Sequence, residues 1–225
     1  MRAIVLKGGP DAEREVSIKS GAQVAAALVR ANVDVQEITI DRLDLGDLRN
    51  LVGDVIFPVL HGPWGEGGPL QEILEQDGRP YVGCGPAAAR LAMDKTATKN
   101  VVARAGVPTP DSCELQIDRP ITIKLPCVIK PSNDGSSVDL KICHTPEELA
   151  AARQQLEGHR PRLLAEEFIT GREFTVGILN GKVLPLIEIQ AQGGVYDYQA
   201  KYLRNDTRYI LDPDVPQQLK DAMNR

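Results

Sequence analysis

Eight residues, Lys130-Pro-Ser-Asn-Asp-Gly-Ser-Ser137, concentrate the chemistry of this sequence. The small side chains leave backbone N–H groups bare, and Gly135 lets the backbone bend and approach a ligand closely. Ser136 and Ser137 add hydroxyl donors and Lys130 adds a positive charge. Converging N–H groups, hydroxyls and an ammonium suit a polyphosphate. A merely polar hairpin loop is the competing reading. No G-x-x-x-x-G-K-[ST] run is present, so the stretch is not a P-loop.

The elements around this stretch must be strands. Leu125–Ile129 is a short apolar run, and Val138–Cys143 alternates apolar Val138, Leu140 and Ile142 with polar neighbours. The stretch is therefore expected to be the loop of a hairpin. A second candidate site lies in His61-Gly-Pro-Trp-Gly-Glu-Gly-Gly68, a glycine-rich loop after the strand expected at Asp54–Leu60. Open α/β sheets bind ligands at the carboxyl ends of such strands. A buried, hydrogen-bonded His61 and a Trp64 that simply packs are the alternatives. Glu166 and Glu167 sit inside the strand expected at Leu163–Ile169, where carboxylates are costly to bury without partners. An exposed face of an edge strand is the plain alternative.

The N-terminal segment reads as a βαβ unit. It has a strand at Arg2–Lys7, a Gly8-Gly9-Pro10 turn, a helix from Ala12 to about Ala31 and a strand at Val33–Ile40. Asp11 is the expected N-cap, and Val16, Val24, Ala27, Leu28 and Ala31 form the expected apolar face. Helices follow at Pro69–Gln76, Pro86–Met93 and Lys95–Ala105, with a brief strand at Tyr81–Val82. Val107-Pro-Thr-Pro110 is an extended connector. Pro146–Leu156 reads as a helix capped by Thr145. Asn180-Gly181 marks a hairpin between strands at Phe174–Leu179 and Lys182–Ile189. The polar stretch Gln190–Arg208, with Tyr196, Lys201 and Tyr202, is a mobile lid or a solvated crossover. Pro216–Arg225 opens an amphipathic helix.

The 225 residues allow one large domain or two small ones, and 42% hydrophobic with 25% charged residues is ordinary for a globular protein. A net charge of −5 argues against nucleic acid or acidic lipid as partners. Cys84, Cys113, Cys127 and Cys143 form no C-x-x-C pair and read as reduced thiols of a cytoplasmic protein, with Cys127 and Cys143 in the core. Three histidines without ligand-like spacing argue against zinc. No signal peptide and no membrane span are expected.

Six runs, in order, resemble the D-alanine–D-alanine ligases of the ATP-grasp superfamily: GGPDAEREVS (8–17), LHGPWGEGG (60–68), MDK (93–95), IKPSNDGSSV (129–138), EEFITGREFTV (166–176) and YDYQAKYL (196–203). The resemblance implies an α/β fold, with an N-terminal parallel-sheet domain at 1–92. An ATP-grasp domain follows, with a central subdomain at 93–170 and the start of a C-terminal subdomain at 171–225. It implies ATP-dependent joining of two D-alanines for peptidoglycan synthesis. Lys95 and Lys130 would hold ATP phosphates, with Ser136 and Ser137 in the covering loop. Glu166 would accept the adenine amino group, Glu167 and Ile169 would run along the purine edge, and Glu173 would take the ribose hydroxyls. Lys201 would reach the γ-phosphate. Glu13 would bind the ammonium of the first D-alanine and His61 would sit near its carboxylate. Glu13, Ser136 and Tyr202 would tie the lid down.

Mg²⁺ (or Mn²⁺) is implied too, but its ligands come from later strands of the family, and Asp212 and Asp214 match none of those motifs. The sequence therefore assigns no metal ligand. It reads as a C-terminally incomplete chain with little activity of its own. A homodimer through the N-terminal domain is also implied. A D-lactate- or D-serine-joining relative and a non-catalytic nucleotide-binding relative are the rival readings. Lys201-Tyr202 favours the dipeptide-forming type.

Overall fold

The computed structural model describes residues 1–115 and 121–224. Arg225, the last residue of the helix expected at the C-terminus, lies outside them.

The first unit is built on β1 (Arg2–Gly8), α1 (Arg14–Arg30), β2 (Asp34–Ile40), α2 (Leu45–Arg49) and β3 (Val55–Pro58). The strands form a parallel sheet of order β2-β1-β3, with Ile4 opposite Gln36 on one side and Ile56 on the other. The central β1 reads Ala-Ile-Val-Leu without alternation because its residues Ala3–Leu6 are buried on both faces. Ile4, Leu6, Leu48, Ile56, Leu70 and Leu74 form the core beside the sheet.

Two sequence expectations fail in α1. The buried stripe is Ser17, Gly21 and Ala25, while of the expected face Val16, Val24 and Leu28 are only half-buried and Ala27 and Ala31 are exposed. Small residues win because the helix lies very close to β1: a Cβ on Gly21 would stand 2.7 Å from the Lys7 Cβ. The cap position falls on Glu13 and no side chain caps the helix. Asp11 serves elsewhere, its Oδ2 accepting the Trp64 N–H at 3.0 Å.

After β3 come α3 (Gly62–Gly65), α4 (Pro69–Asp77), α5 (Pro86–Met93) and α6 (Lys95–Arg104). The strand expected at Tyr81–Val82 is a single parallel bridge, Ile56 to Tyr81. Asp94 separates α5 from α6 and caps α6, accepting the Ala97 N–H at 3.0 Å.

The second unit comprises β4 (Ser112–Glu114), β5 (Cys127–Pro131), β6 (Lys141–Cys143), α7 (Pro146–Glu157) and β7 (Leu163–Glu167), in an antiparallel sheet of order β4-β7-β5-β6. Thr145 caps α7 as the sequence indicates, accepting the Glu148 N–H. β7 is interior, so the edge-strand reading of Glu166 fails. Cys127 and Cys143 are free, buried and directly opposite each other.

The third unit has β8 (Glu173–Thr175), β9 (Ile178–Leu179), β10 (Lys182–Val183), β11 (Ile187–Gln190), α8 (Tyr198–Tyr202), β12 (Arg208–Leu211) and α9 (Gln217–Met223). Asn180 and Gly181, at φ of 51° and 75°, turn β9 into β10 as their types demand. The long flanking strands expected on either side are each broken. Pro185 donates no N–H, and the Gly177 carbonyl turns to accept the Leu184 N–H. β8, β11 and β12 form a separate sheet of order β12-β11-β8.

Candidate active site

The hairpin holds, with altered borders. β5 runs through Lys130 to Pro131, and the return strand starts only at Lys141. Ser136, Ser137 and Asp139 have φ of 53°, 58° and 56°, which no strand accommodates. Residues 132–140 are therefore a loop.

Lysines converge beneath this loop. Lys95 opens α6, its Nζ donates to the Asp134 carbonyl, and its backbone N–H donates to the Ser132 carbonyl at 2.8 Å. Burial, then repulsion from Lys130, holds its pKa below that of an ordinary lysine. Lys130 Nζ donates to Glu166 Oε1 at 3.0 Å. Lys99 completes the arrangement from α6, donating to Glu166 Oε2 at 3.2 Å, to Thr109 Oγ1 at 2.7 Å and to the Pro110 carbonyl at 2.6 Å. Two ammoniums thus compensate the interior carboxylate of Glu166. Lys99 escaped the sequence reading because its partners lie up to 67 residues away.

Ser136 joins all three units. Its hydroxyl donates to Glu13 Oε1 at the start of α1 and lies 2.8 Å from the Tyr202 hydroxyl on α8. Glu13 is only 4% exposed. Burial, together with the negative Glu13 and Glu66, raises the Tyr202 pKa against the effect of the Ser136 bond, so the phenol stays protonated. Lys201 Nζ donates to Ser137 Oγ at 3.2 Å and stands 5.2 Å over the Tyr196 ring. The stretch read as lid or crossover is packed onto loop 132–140, with α8 capped by Asp197.

His61 lies close by. Its Nδ1 is 3.9 Å from Glu66 Oε2, and its Nε2 is buried without a hydrogen-bond partner among the described residues. The Glu66 carboxylate raises the His61 pKa and Glu13 acts in the same direction, while burial opposes them. Glu66 also accepts the Gly62 N–H at 3.1 Å. It went unassigned in the sequence, although it lies in the same glycine-rich loop. A Cβ on Gly135 would stand 3.5 Å from Glu13 Oε2 and 3.8 Å from Glu66 Oε1, so loop 132–140 meets both carboxylates. Trp64 is buried in the core and packs, as its plain reading has it.

Two adjoining cavities continue this site. One of about 250 Å³ is lined by Lys95, Lys130, Gly135, Ser136, Ser137 and Lys201, among others. The other, about 370 Å³, shares Ser137 and Leu140 with it and is walled by Val128, Ile142, Phe168, Ile169 and Glu173. A cationic cleft that opens into a partly apolar one accommodates a triphosphate followed by a base and sugar. Glu167 is exposed and lines neither cavity. Among the described residues, no group of three or more His, Cys, Asp or Glu could hold a metal ion. No helix among them is long and apolar enough to cross a membrane.

Residues 100–225 match a family profile described as "D-ala D-ala ligase C-terminus". The chain is 40% identical to the D-alanine–D-alanine ligase of Syntrophotalea carbinolica over 223 residues, covering 97% of this chain and 73% of that protein. It superposes on the crystal structure of D-alanine–D-alanine ligase from Bacillus anthracis with a TM-score of 0.84 at 32% identity, covering 100% of this chain and 75% of that one. The same enzyme solved in complex with ATP matches with a TM-score of 0.82 at 31% identity, covering 100% and 74%. The resemblance drawn from six short runs thus extends over nearly the whole sequence.

Proposed function

This chain belongs to the D-alanine–D-alanine ligase family, and on that premise we propose that it binds ATP along the two cavities and joins two D-alanines. The observation that carries the reading is Ser136, which ties Glu13 and Tyr202 together at the mouth of a cleft lined by Lys95, Lys130 and Lys201. An anion-binding end and a carboxylate end lie side by side, as a reaction between a phosphate and an amino acid requires.

In this reading Lys95, Lys130 and Lys201 neutralise the triphosphate, and the 135–138 loop covers it. Ile169 and Glu173 flank the base and ribose. Glu166 keeps acceptor capacity for the adenine amino group, because a carboxylate has about four lone-pair sites and two lysines occupy two of them. Glu167 lies near the purine edge. Glu13 takes the ammonium of the first D-alanine, and His61 stands near its carboxylate. That carboxylate oxygen attacks the γ-phosphorus, and ADP leaves with the bridging oxygen. The amine of the second D-alanine then attacks the acyl phosphate carbonyl and loses a proton, and inorganic phosphate departs. Positioning and charge neutralisation carry most of such a reaction. The packed 191–207 stretch would keep water from the acyl phosphate.

Mg²⁺ or Mn²⁺ is implied by the family, but the described residues do not fit one. The carboxylate lining the phosphate cleft, Asp134, is engaged by Arg160. No step above runs through a metal. The division at 1–92, 93–170 and 171–225 is supported by the sheets, none of which spans two parts. The homodimer and the cytoplasmic location rest on the resemblance.

ATP binding measured by calorimetry, followed by chromatography of products formed from ATP and D-alanine with D-lactate and D-serine present, tests the reading. We expect ATP binding, with D-alanyl-D-alanine as the product of whatever turnover the chain supports. Absence of ATP binding would sink it, and a D-lactate ester or a D-serine dipeptide would redirect it to the rival specificities.

A further inference from the structure

The phosphate loop is held in place from outside the cleft. Ser136, Ser137 and Asp139 occupy the left-handed backbone region, which L residues enter only when their surroundings compel it. The stretch 135–138 between Asp134 and Asp139 presents its hydroxyls to Glu13, Tyr202 and Lys201. Both of its ends are gripped by one side chain. Arg160 Nε donates to Asp139 Oδ2 at 2.7 Å, and a terminal nitrogen stands 2.6 Å from the same oxygen. Another terminal nitrogen donates to Asp134 Oδ2 at 2.9 Å.

Arg160 itself is anchored, since its N–H donates to the Leu156 carbonyl at the end of α7. Its neighbour His159 adds a contact to Asp139 at 3.2 Å. All three side chains of the clamp are largely shielded, at 26%, 17% and 27% exposed for Arg160, Asp134 and Asp139. A planar guanidinium spans two carboxylates in a fixed geometry, which an ammonium cannot reproduce. The consequence reaches the cleft through Asp134, whose carbonyl fixes the Lys95 ammonium and whose Oδ1 accepts the Gly135 N–H at 2.8 Å. Arg160 does not line the phosphate cavity.

We propose that Arg160 is a positioning residue for the triphosphate, holding the strained loop 134–139 in the shape that receives phosphate while never touching the nucleotide. The proposal rests on the ATP-binding reading above and names a residue that the six motifs do not include.

The test compares wild type with Arg160→Ala, Arg160→Lys and Asp139→Asn. Calorimetry measures ATP and adenosine separately, and hydrogen exchange measures protection across 134–140. Arg160→Ala should weaken ATP about tenfold to a hundredfold, as expected for misplaced binding groups. Adenosine, which does not reach the phosphate end, should change less than about twofold. Arg160→Lys should recover only part of the ATP affinity, and Asp139→Asn should weaken ATP in the same direction. Loop protection should fall in all three. Unchanged ATP affinity and unchanged loop exchange in Arg160→Ala would overturn the proposal. So would equal losses for ATP and adenosine, the mark of a general structural defect. If Arg160→Ala does not fold, Arg160→Lys and Asp139→Asn carry the same comparison. A wild-type chain that binds no ATP would refute the ligase reading, whereas loop exchange would still report on the clamp.

Discussion

His61 and Glu66 form a pH-sensitive pair close to Glu13. Glu66 raises the His61 pKa from 6.5, with Glu13 adding to the effect. A histidine whose folded pKa lies above its unfolded value stabilises the fold fully below the unfolded pKa. That contribution is lost as pH rises through the folded value. Glu66→Gln removes the main cause. The stability difference between wild type and Glu66→Gln in urea unfolding should therefore be largest below pH 6.5 and shrink as pH rises beyond it. The His61 titration followed by NMR should move down in the variant. A His61 midpoint that does not fall in the variant would show that Glu66 is not its partner in solution. Glu66 was not legible in the sequence because a glutamate among glycines looks solvated, and only the helical turn α3, with His61 and Glu66 at its two ends, brings the pair together.

At the scale of elements, α1 shows how closeness, rather than apolar bulk, can set a helix face. Ser17, Gly21 and Ala25 face the sheet, and Ser17 Oγ accepts the Gly8 N–H at 2.8 Å. Gly21→Ala should raise helix propensity by up to about 1 kcal/mol. Its Cβ, however, would fall 2.7 Å from the Lys7 Cβ and 2.9 Å from its Cδ. Overpacking of this kind costs about 1–3 kcal/mol, so a net loss of stability is expected. Gln23→Ala, on the exposed face, should change stability by less than about 0.5 kcal/mol. Denaturant unfolding of both checks this, and a stabilised Gly21→Ala would show that the helix can move away from β1.

Elements set by local chemistry were legible in the sequence. The Asn180-Gly181 turn, the Thr145 cap and the Pro86 helix start need nothing beyond neighbouring residues. The α1 face, the use of Asp11 by Trp64 and the breaks at Gly177 and Pro185 depend on what packs nearby, which periodicity does not record.

The whole molecule is joined at one hydroxyl. Glu13, Ser136 and Tyr202 come from three units and are separated by 123 and 66 positions along the chain. Their residue types gave no hint of proximity; the resemblance to a family supplied it, and the fold brings the three together. Lys130 was legible as a candidate phosphate partner from its loop and Lys95 and Lys201 entered through the resemblance, whereas Lys99 and Arg160, which contact Glu166 and the two aspartates of the loop, carried no motif.

Because Ser136 links the units, its removal should be felt at a distance. Ser136→Ala leaves the strained backbone but deletes the bonds to Glu13 and Tyr202. Each such bond to a charged or networked group is worth about 1.5–3 kcal/mol at most, against a global stability of about 5–15 kcal/mol, so the fold should survive. What should change is the packing of 191–207 against the phosphate loop. Hydrogen exchange in α8 should speed up about tenfold, corresponding to about 1.4 kcal/mol, while β1 and β5 keep their protection. On the proposed reading of Glu13, D-alanine affinity measured by calorimetry should fall, since the carboxylate loses the partner that fixes it. If α8 exchanges at the wild-type rate in Ser136→Ala, then Lys201 on Ser137 and the Tyr196 contact hold the lid by themselves, and the three-unit bond is a consequence of closure rather than its cause.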